Sequence, residues 1–156
     1  LNVLDHANPS FSLVSDANSL VYDFGTVLLG SASPSFGFSL ANLVATTGFT
    51  AGLDLDSVLG SGDVGALTTD LSLFSSLDAG FTNAFTAALN TSSIGTFSAR
   101  YTLQFSDENL PGAAALGNMT LTLMGSVAAV PEPSTVYLVV TCALFTLAGK
   151  RQRIVR

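Results

Sequence analysis

Thr96-Phe97-Ser98-Ala99-Arg100-Tyr101-Thr102-Leu103-Gln104-Phe105-Ser106 alternates along its whole length. Phe97, Ala99, Tyr101, Leu103 and Phe105 fall on one side of an extended chain, and Ser98, Arg100, Thr102 and Gln104 on the other. Successive side chains of a strand point to opposite faces, so this period of two predicts a strand with one face buried and one in water. The same pattern returns over Asn118–Val127, where Met119, Leu121 and Leu123 oppose Thr120 and Thr122. Upstream, Ser19–Phe24 reads as a strand, and Phe36, Phe38 and Leu40 share one face of the next, opposite Ser35, Gly37 and Ser39. Gly52–Ser57 alternates Leu53 and Leu55 with Asp54 and Asp56; Leu67–Phe74 places Leu71 and Leu73 among polar neighbours; Phe81–Leu89 sets Phe81, Phe85, Ala87 and Leu89 on one side.

These runs make seven strands, with an eighth offered by Phe11–Ser15. Between them lie turn formers such as Gly60-Ser61-Gly62-Asp63, Asp78-Ala79-Gly80 and Asn90-Thr91-Ser92-Ser93. One apolar face per strand predicts two antiparallel sheets packed face to face. The expected fold is therefore all-β, an Ig-like antiparallel β-sandwich over residues 19–127. Residues 1–18 form an N-terminal segment that can add an edge strand. With no Trp in the chain, Phe and Leu must fill the interior. Tyr22 and Tyr101 are the candidates for half-exposed positions.

Hydrophobic residues make up 48% of the 156, and charged residues only 10%, the opposite of a disordered chain. Over residues 1–149 eleven acidic side chains face the single Arg100, a net charge of −10. Such a surface repels nucleic acid, so DNA and RNA binding are set aside. The one cysteine, Cys142, lies near the C-terminus, which leaves the sandwich without a thiol or a disulfide.

The other informative stretch is the C-terminal end. Val130-Pro131-Glu132-Pro133-Ser134-Thr135 carries two prolines that favour extended backbone and stop the last strand from running on. An uncharged run from Ser134 to Gly149 follows, 16 residues long. As a helix it would measure about 24 Å at 1.5 Å per residue, a little less than a bilayer's hydrocarbon core. Snorkelling by Lys150 and Arg151, or local thinning of the bilayer, can make up the difference. Four of the chain's five basic residues, Lys150, Arg151, Arg153 and Arg156, fall in the last seven positions. Basic flanks stay cytoplasmic, so the sandwich is expected on the far side of the membrane. The expected organisation is a spacer at 128–135, one transmembrane helix at 136–149 and a basic cytoplasmic tail at 150–156. Such a signal implies export, so the sequence is expected to begin after a removed signal peptide or to be a fragment.

In that order, Pro131-Glu132-Pro133, the apolar run and the terminal basic cluster resemble the PEP-CTERM sorting signal of Gram-negative envelope proteins, although Ile154 and Val155 interrupt the cluster. The resemblance implies that an exosortase-type membrane protease recognises Val130–Thr135 and removes the helix. Phe24-Gly25-Thr26-Val27-Leu28-Leu29-Gly30-Ser31, Phe38–Leu43, Leu77–Gly80, Gly95–Tyr101 and Leu121–Ser126 are similar to the strands of Hydin-type Ig-like domains, the choice-of-anchor D family. That resemblance spans roughly residues 19–127 and implies a binding or spacer module with no catalytic activity.

No constellation of side chains in the sequence demands an enzyme or a cofactor. His6, the only histidine, is expected at the surface of a loose terminus, with no part in a triad or a multi-histidine metal site. Asp54, Asp56 and Asp63 flank a Gly-rich stretch, and oxygen-rich clusters of this type can hold calcium. Their spacing lacks the twelve-residue loop with its closing Glu, and Asp54 and Asp56 alternate outward as a solvated face does. Asp107-Glu108 opens a turn and is expected to be solvated. Asn90-Thr91-Ser92 and Asn118-Met119-Thr120 are formal glycosylation sequons. The expected protein is a non-enzymatic envelope component. It crosses the inner membrane as a single-pass precursor and ends at the cell surface or in a biofilm or floc matrix, with exopolysaccharide as the alternative ligand.

Overall fold

The alternating run around Tyr101 becomes the longest strand of the computed structural model, which describes residues 4–131. Nine strands form in chain order: β1 (Pro9–Ser10), β2 (Ser19–Leu28), β3 (Ser35–Asn42), β4 (Leu53–Gly62), β5 (Leu67–Thr69), β6 (Phe74–Leu77), β7 (Thr82–Leu89), β8 (Gly95–Asp107) and β9 (Met119–Ala128). They build a four-stranded sheet in the order β1-β3-β7-β5 and a five-stranded sheet in the order β2-β9-β8-β4-β6. β8 is paired on both sides, to β4 from Leu53↔Asp107 to Gly62↔Ala99 and to β9 from Gly95↔Val127 to Leu103↔Met119.

The two inner faces meet in one core. Leu53, Leu55, Ala99, Leu103, Phe105, Met119, Leu121 and Leu123 of the larger sheet face Leu40, Phe38, Phe85, Ala87, Leu89 and Leu67 of the smaller. Each fully buried Leu stabilises the fold by about 1.5–3 kcal/mol relative to exposure. Along one side the aromatic rings run in sequence across the seam. Tyr22 stacks on Phe36 at 3.8 Å between centroids, Phe36 and Phe38 lie 6.3 Å apart, Phe38 and Phe85 6.0 Å, and Phe85 and Phe74 6.4 Å. Stacked and tilted ring pairs at such separations add to the area term.

The sandwich differs from the sequence-based expectation at four places, each for a local reason. First, β2 runs parallel to β9, so the larger sheet is mixed and not purely antiparallel. The chain pairs β1 with β3 in one sheet and then crosses to the other, where β2 starts beside Thr120 at the beginning of β9 and runs in the same sense. Second, Phe11–Ser15 is this crossover and not a strand. It closes around the buried Ser10 hydroxyl, which accepts from Ser12 N and Ala17 N and donates to Ser15 O. Third, Leu67–Phe74 splits into β5 and β6 in different sheets. Asp70 ends β5, its carboxylate accepting from Thr86 N at 2.7 Å, and Leu73 is left exposed. Fourth, Phe81 sits in the Asp78–Phe81 turn before β7 and is 64% exposed, and Phe49 in the β3–β4 loop is exposed as well.

Tyr101 is also not half-exposed. It is buried, and its hydroxyl donates to Leu67 O across the sandwich at 2.6 Å. Burial raises its pKa and keeps it neutral. Tyr101→Phe leaves the Leu67 carbonyl without that partner, so it is expected to destabilise the sandwich by roughly 1–3 kcal/mol. A lowered urea midpoint with unchanged slope is the readout; an unchanged midpoint would remove this bond from the account.

Candidate functional site

Register places the loops in two groups. The N-terminal strap, the β1–β2, β3–β4 and β6–β7 connections and the β8–β9 loop all gather at the Asp107 end of β8. β9 ends beside Gly95, at the other end of β8. At ~3.3 Å per residue, the start of the C-terminal tail therefore lies roughly 40 Å from Asp107.

The strap of residues 5–8 is stitched into the Asp107 end. Asp5 N donates to Phe49 O at 2.6 Å, Ala51 N donates to Asp5 O at 2.9 Å, and the Thr46 hydroxyl donates to the Asp5 carboxylate. Leu43 N donates to Asn8 O at 2.8 Å. Two buried polar side chains organise these contacts. Asn42, the last residue of β3, is fully buried: its Oδ1 accepts from Asn8 N at 3.0 Å, and its Nδ2 donates to Ala51 O and Leu77 O at 2.8 and 2.9 Å. Asp107, the last residue of β8, accepts from His6 Nδ1 at 2.6 Å, Ala7 N at 2.8 Å and Ala114 N at 3.1 Å.

The electrostatics of this pair follow from its burial. The Asp107 side chain is 4% exposed and the His6 ring 63%. Burial pushes the Asp107 pKa up, but the bonds from His6, Ala7 and Ala114 and the nearby His6 charge outweigh it, leaving the carboxyl below its ordinary 3.8. An ionised carboxylate only accepts, so His6 Nδ1 carries the shared proton and Nε2 is the nitrogen left for a ligand. His6 is thus a fixed side chain, not one on a loose terminus. Likewise Asp107-Glu108 is not a solvated turn. Glu108 N donates to Gly52 O at 2.8 Å, and Gly52 N donates back to Glu108 Oε1 at 3.0 Å. A Cβ on Gly52 would meet the Glu108 carboxylate at 3.0 Å, a close contact that the Glu108 side chain would have to relieve by a small shift.

Between strap and β8–β9 loop opens a cleft of about 670 Å³. His6, Asp5 and Glu108 supply its polar lining, and Leu4, Leu110 and Pro111 much of its apolar wall. An imidazole oriented by a buried carboxylate is two-thirds of a nucleophilic triad, which the lone-histidine argument had set aside. Among the described residues no hydroxyl or thiol hydrogen-bonds the ring to complete it. What the cleft offers is hydrogen-bond acceptors above an apolar surface.

The sites expected from sequence fall elsewhere. Val130 and Pro131 are exposed just past β9. Glu132, Pro133, Ser134 and Thr135, the transmembrane helix at 136–149 and the cluster Lys150, Arg151, Arg153 and Arg156 lie outside the described residues. Among those described, no helix is long and apolar enough to cross a membrane. Asp54, Asp56 and Asp63 are not brought together. Asp54 is buried, not solvated, and accepts from Ser76 N at 2.6 Å to pin β6; Asp56 accepts from the Ser106 hydroxyl at 3.1 Å at the β4 bulge; Asp63 accepts from Ser98 N at 2.9 Å. Among the described residues no three His, Cys, Asp or Glu side chains form a group that could hold a metal ion. His6 and Asp107 are 101 residues apart, and no local pattern announces such a pair.

No protein-family model matches the chain, and no curated protein matches it. Among solved structures the chain is similar to the VesB protease of Vibrio cholerae, with a TM-score of 0.45 and 17% identity over 68% of this chain. The chain covers 30% of that protein's length, and a likeness at this level supports no statement about activity.

Two outcomes test the architecture of the cleft. Asn42→Ala removes three hydrogen bonds and strands the buried Ala51 carbonyl and the half-buried Leu77 carbonyl, so a loss of roughly 2–4 kcal/mol is expected, with faster amide exchange across residues 5–8 and 43–51. Because the folded pKa of Asp107 is depressed, its stabilisation is complete above the ordinary carboxylate pKa and is lost as pH falls through the folded value. Asp107→Asn should therefore be less stable than wild type at neutral pH and lose less on acidification below about pH 4. Parallel acid limbs for the two proteins would show that other carboxylates set the pH dependence.

Proposed function

We propose that the protein is an exported, non-enzymatic envelope component of the PEP-CTERM type, built on an Ig-like, choice-of-anchor D sandwich. A C-terminal helix at 136–149 holds the precursor in the inner membrane, with Lys150 to Arg156 on the cytoplasmic side. Cleavage by an exosortase-type protease within Val130–Thr135 then releases the sandwich to the cell surface or extracellular matrix, where it acts as a structural or adhesive part of a biofilm or floc. The observation that carries this reading is the three-part C-terminal sequence. Two features of the fold support it. The four- and five-stranded sheets face each other as a β-sandwich does. The tail leaves from the end opposite the cleft, so the cleft faces away from a membrane that holds the tail.

A second reading, a carbohydrate- or exopolysaccharide-binding module, is favoured by one observation: acceptor groups of the cleft sit beside an apolar wall, the combination a sugar ring requires. The two readings are compatible in a matrix protein.

Intact-mass analysis of the native protein by cell fraction tests the primary reading. A chain ending within Val130–Thr135 in the surface or matrix fraction is the expected result. A chain still ending at Arg156 in the inner membrane would make the tail a permanent anchor, and deletion of residues 131–156 without change of location would sink the sorting model.

A further inference from the structure

We infer that the cleft between the N-terminal strap and the β8–β9 loop is a binding site for a cationic glycan, recognising a sugar that carries a free ammonium group. The inference rests on the carbohydrate reading above and names its ligand class and its residues. It starts from the cleft itself, about 670 Å³ and open to solvent, which is large enough for a sugar unit. Its walls are built from both ends of the chain's order: Leu4, Asp5 and His6 on one side, Glu108, Leu110 and Pro111 on the other. Asp107 locks them together from beneath by its bonds to His6, Ala7 and Ala114.

The carboxylate oxygens left for a ligand are acceptors. Glu108 uses Oε1 on Gly52 N, and among the described residues Oε2 has no protein partner. Asp5 uses Oδ2 on the Thr46 hydroxyl and leaves Oδ1. His6 uses Nδ1 on Asp107 and leaves Nε2. Two carboxylate oxygens match a ligand rich in donors, as an ammonium group flanked by hydroxyls is. Leu4, Leu110 and Pro111 supply the surface against which the C–H face of a pyranose packs. Among the described residues no basic side chain but His6 lines the cleft. Arg100, the one Lys or Arg of residues 1–149, points from the outer face of β8 to the Thr120 hydroxyl at 3.3 Å. Among the described residues the cleft carboxylates are therefore not paired with a lysine or arginine, and the −10 charge of residues 1–149 draws a polycation toward the protein.

Titration of the full chain with a glucosamine oligomer, its N-acetylated counterpart and a uronic acid oligomer, followed by NMR or calorimetry, tests this directly. The glucosamine oligomer should bind, more weakly as salt rises, with shifts centred on His6, Glu108 and Leu110. The uronic acid oligomer should not bind. Glu108→Gln keeps the shape and the bond from Gly52 N but removes the charge, and should weaken binding roughly tenfold or more. Leu110→Ala, at an exposed loop position, should weaken it through the apolar wall. Asp78→Asn removes one charge outside the cleft and should leave binding near wild type. Equal loss in Asp78→Asn and Glu108→Gln would mean diffuse attraction to an acidic surface and would overturn the site. Binding of the N-acetylated oligomer alone would overturn the cationic class while leaving the carbohydrate reading in place. Binding of none of the three would overturn both. Thermal melts of each variant separate lost binding from lost fold.

Discussion

A carboxylate buried in a protein must be fully hydrogen-bonded or give up its charge, and Asp107 meets that demand with three donors from two segments. It stands at the last position of the longest strand, where β8 leaves the sheet. Its oxygens hold the strap through His6 and Ala7 and the β8–β9 loop through Ala114. Beside it Asn42 ties the β3–β4 loop, β6 and the strap together. The Asp107 end of the sandwich is thus a set of irregular segments tied to two buried polar side chains, and the cleft is the space those ties leave between strap and loop. Remove the carboxylate's charge and the walls of the cleft lose their common anchor.

The rest of the molecule is arranged so that this end can be specialised. The core is ordinary in composition, Leu and Phe from two facing sheets, with each side chain set by strand alternation. The outer faces of the central strands carry mostly Ser, Thr, Gln and Ala. The acidic residues lie mainly at loops, strand ends and the β4 bulge, where several of them cap backbone amides: Asp54 on Ser76, Asp63 on Ser98, Asp70 on Thr86 and Glu108 on Gly52. A chain with so few charges uses much of its negative charge as local hydrogen-bond acceptors for backbone that leaves the sheets. This use competes with metal binding, because a carboxylate engaged by a backbone amide at 2.6–2.9 Å is fixed where the strand needs it and not where an ion would.

Strand alternation was legible in Thr96–Ser106 and Asn118–Val127 because each strand there has one wet and one dry face over its whole length, and both became strands with the expected residues inside. It failed at Leu67–Phe74 and Phe11–Ser15, where an apolar residue every second position was produced by a chain changing sheets. There the deciding interactions are single polar contacts, the Asp70 carboxylate with Thr86 N and the Ser10 hydroxyl with the crossover. Phe81 failed for a similar reason: the turn before β7 places it outside the register that would have buried it.

The sequence by itself determined that the described residues are all-β, which faces of the main strands are apolar, and that the charge is strongly negative. These are local or summed properties, and period, composition and charge carry them without knowledge of neighbours. Tertiary structure alone decided the parallel pairing of β2 with β9, the burial of Tyr101 and Asp54, and the meeting of His6 with Asp107. Each of those joins residues separated by tens of residues or more, and pairing across that distance depends on which sheet a strand enters. The cleft belongs to this second group: its acceptors come from the strap and the last loop, which become neighbours only after both sheets have closed.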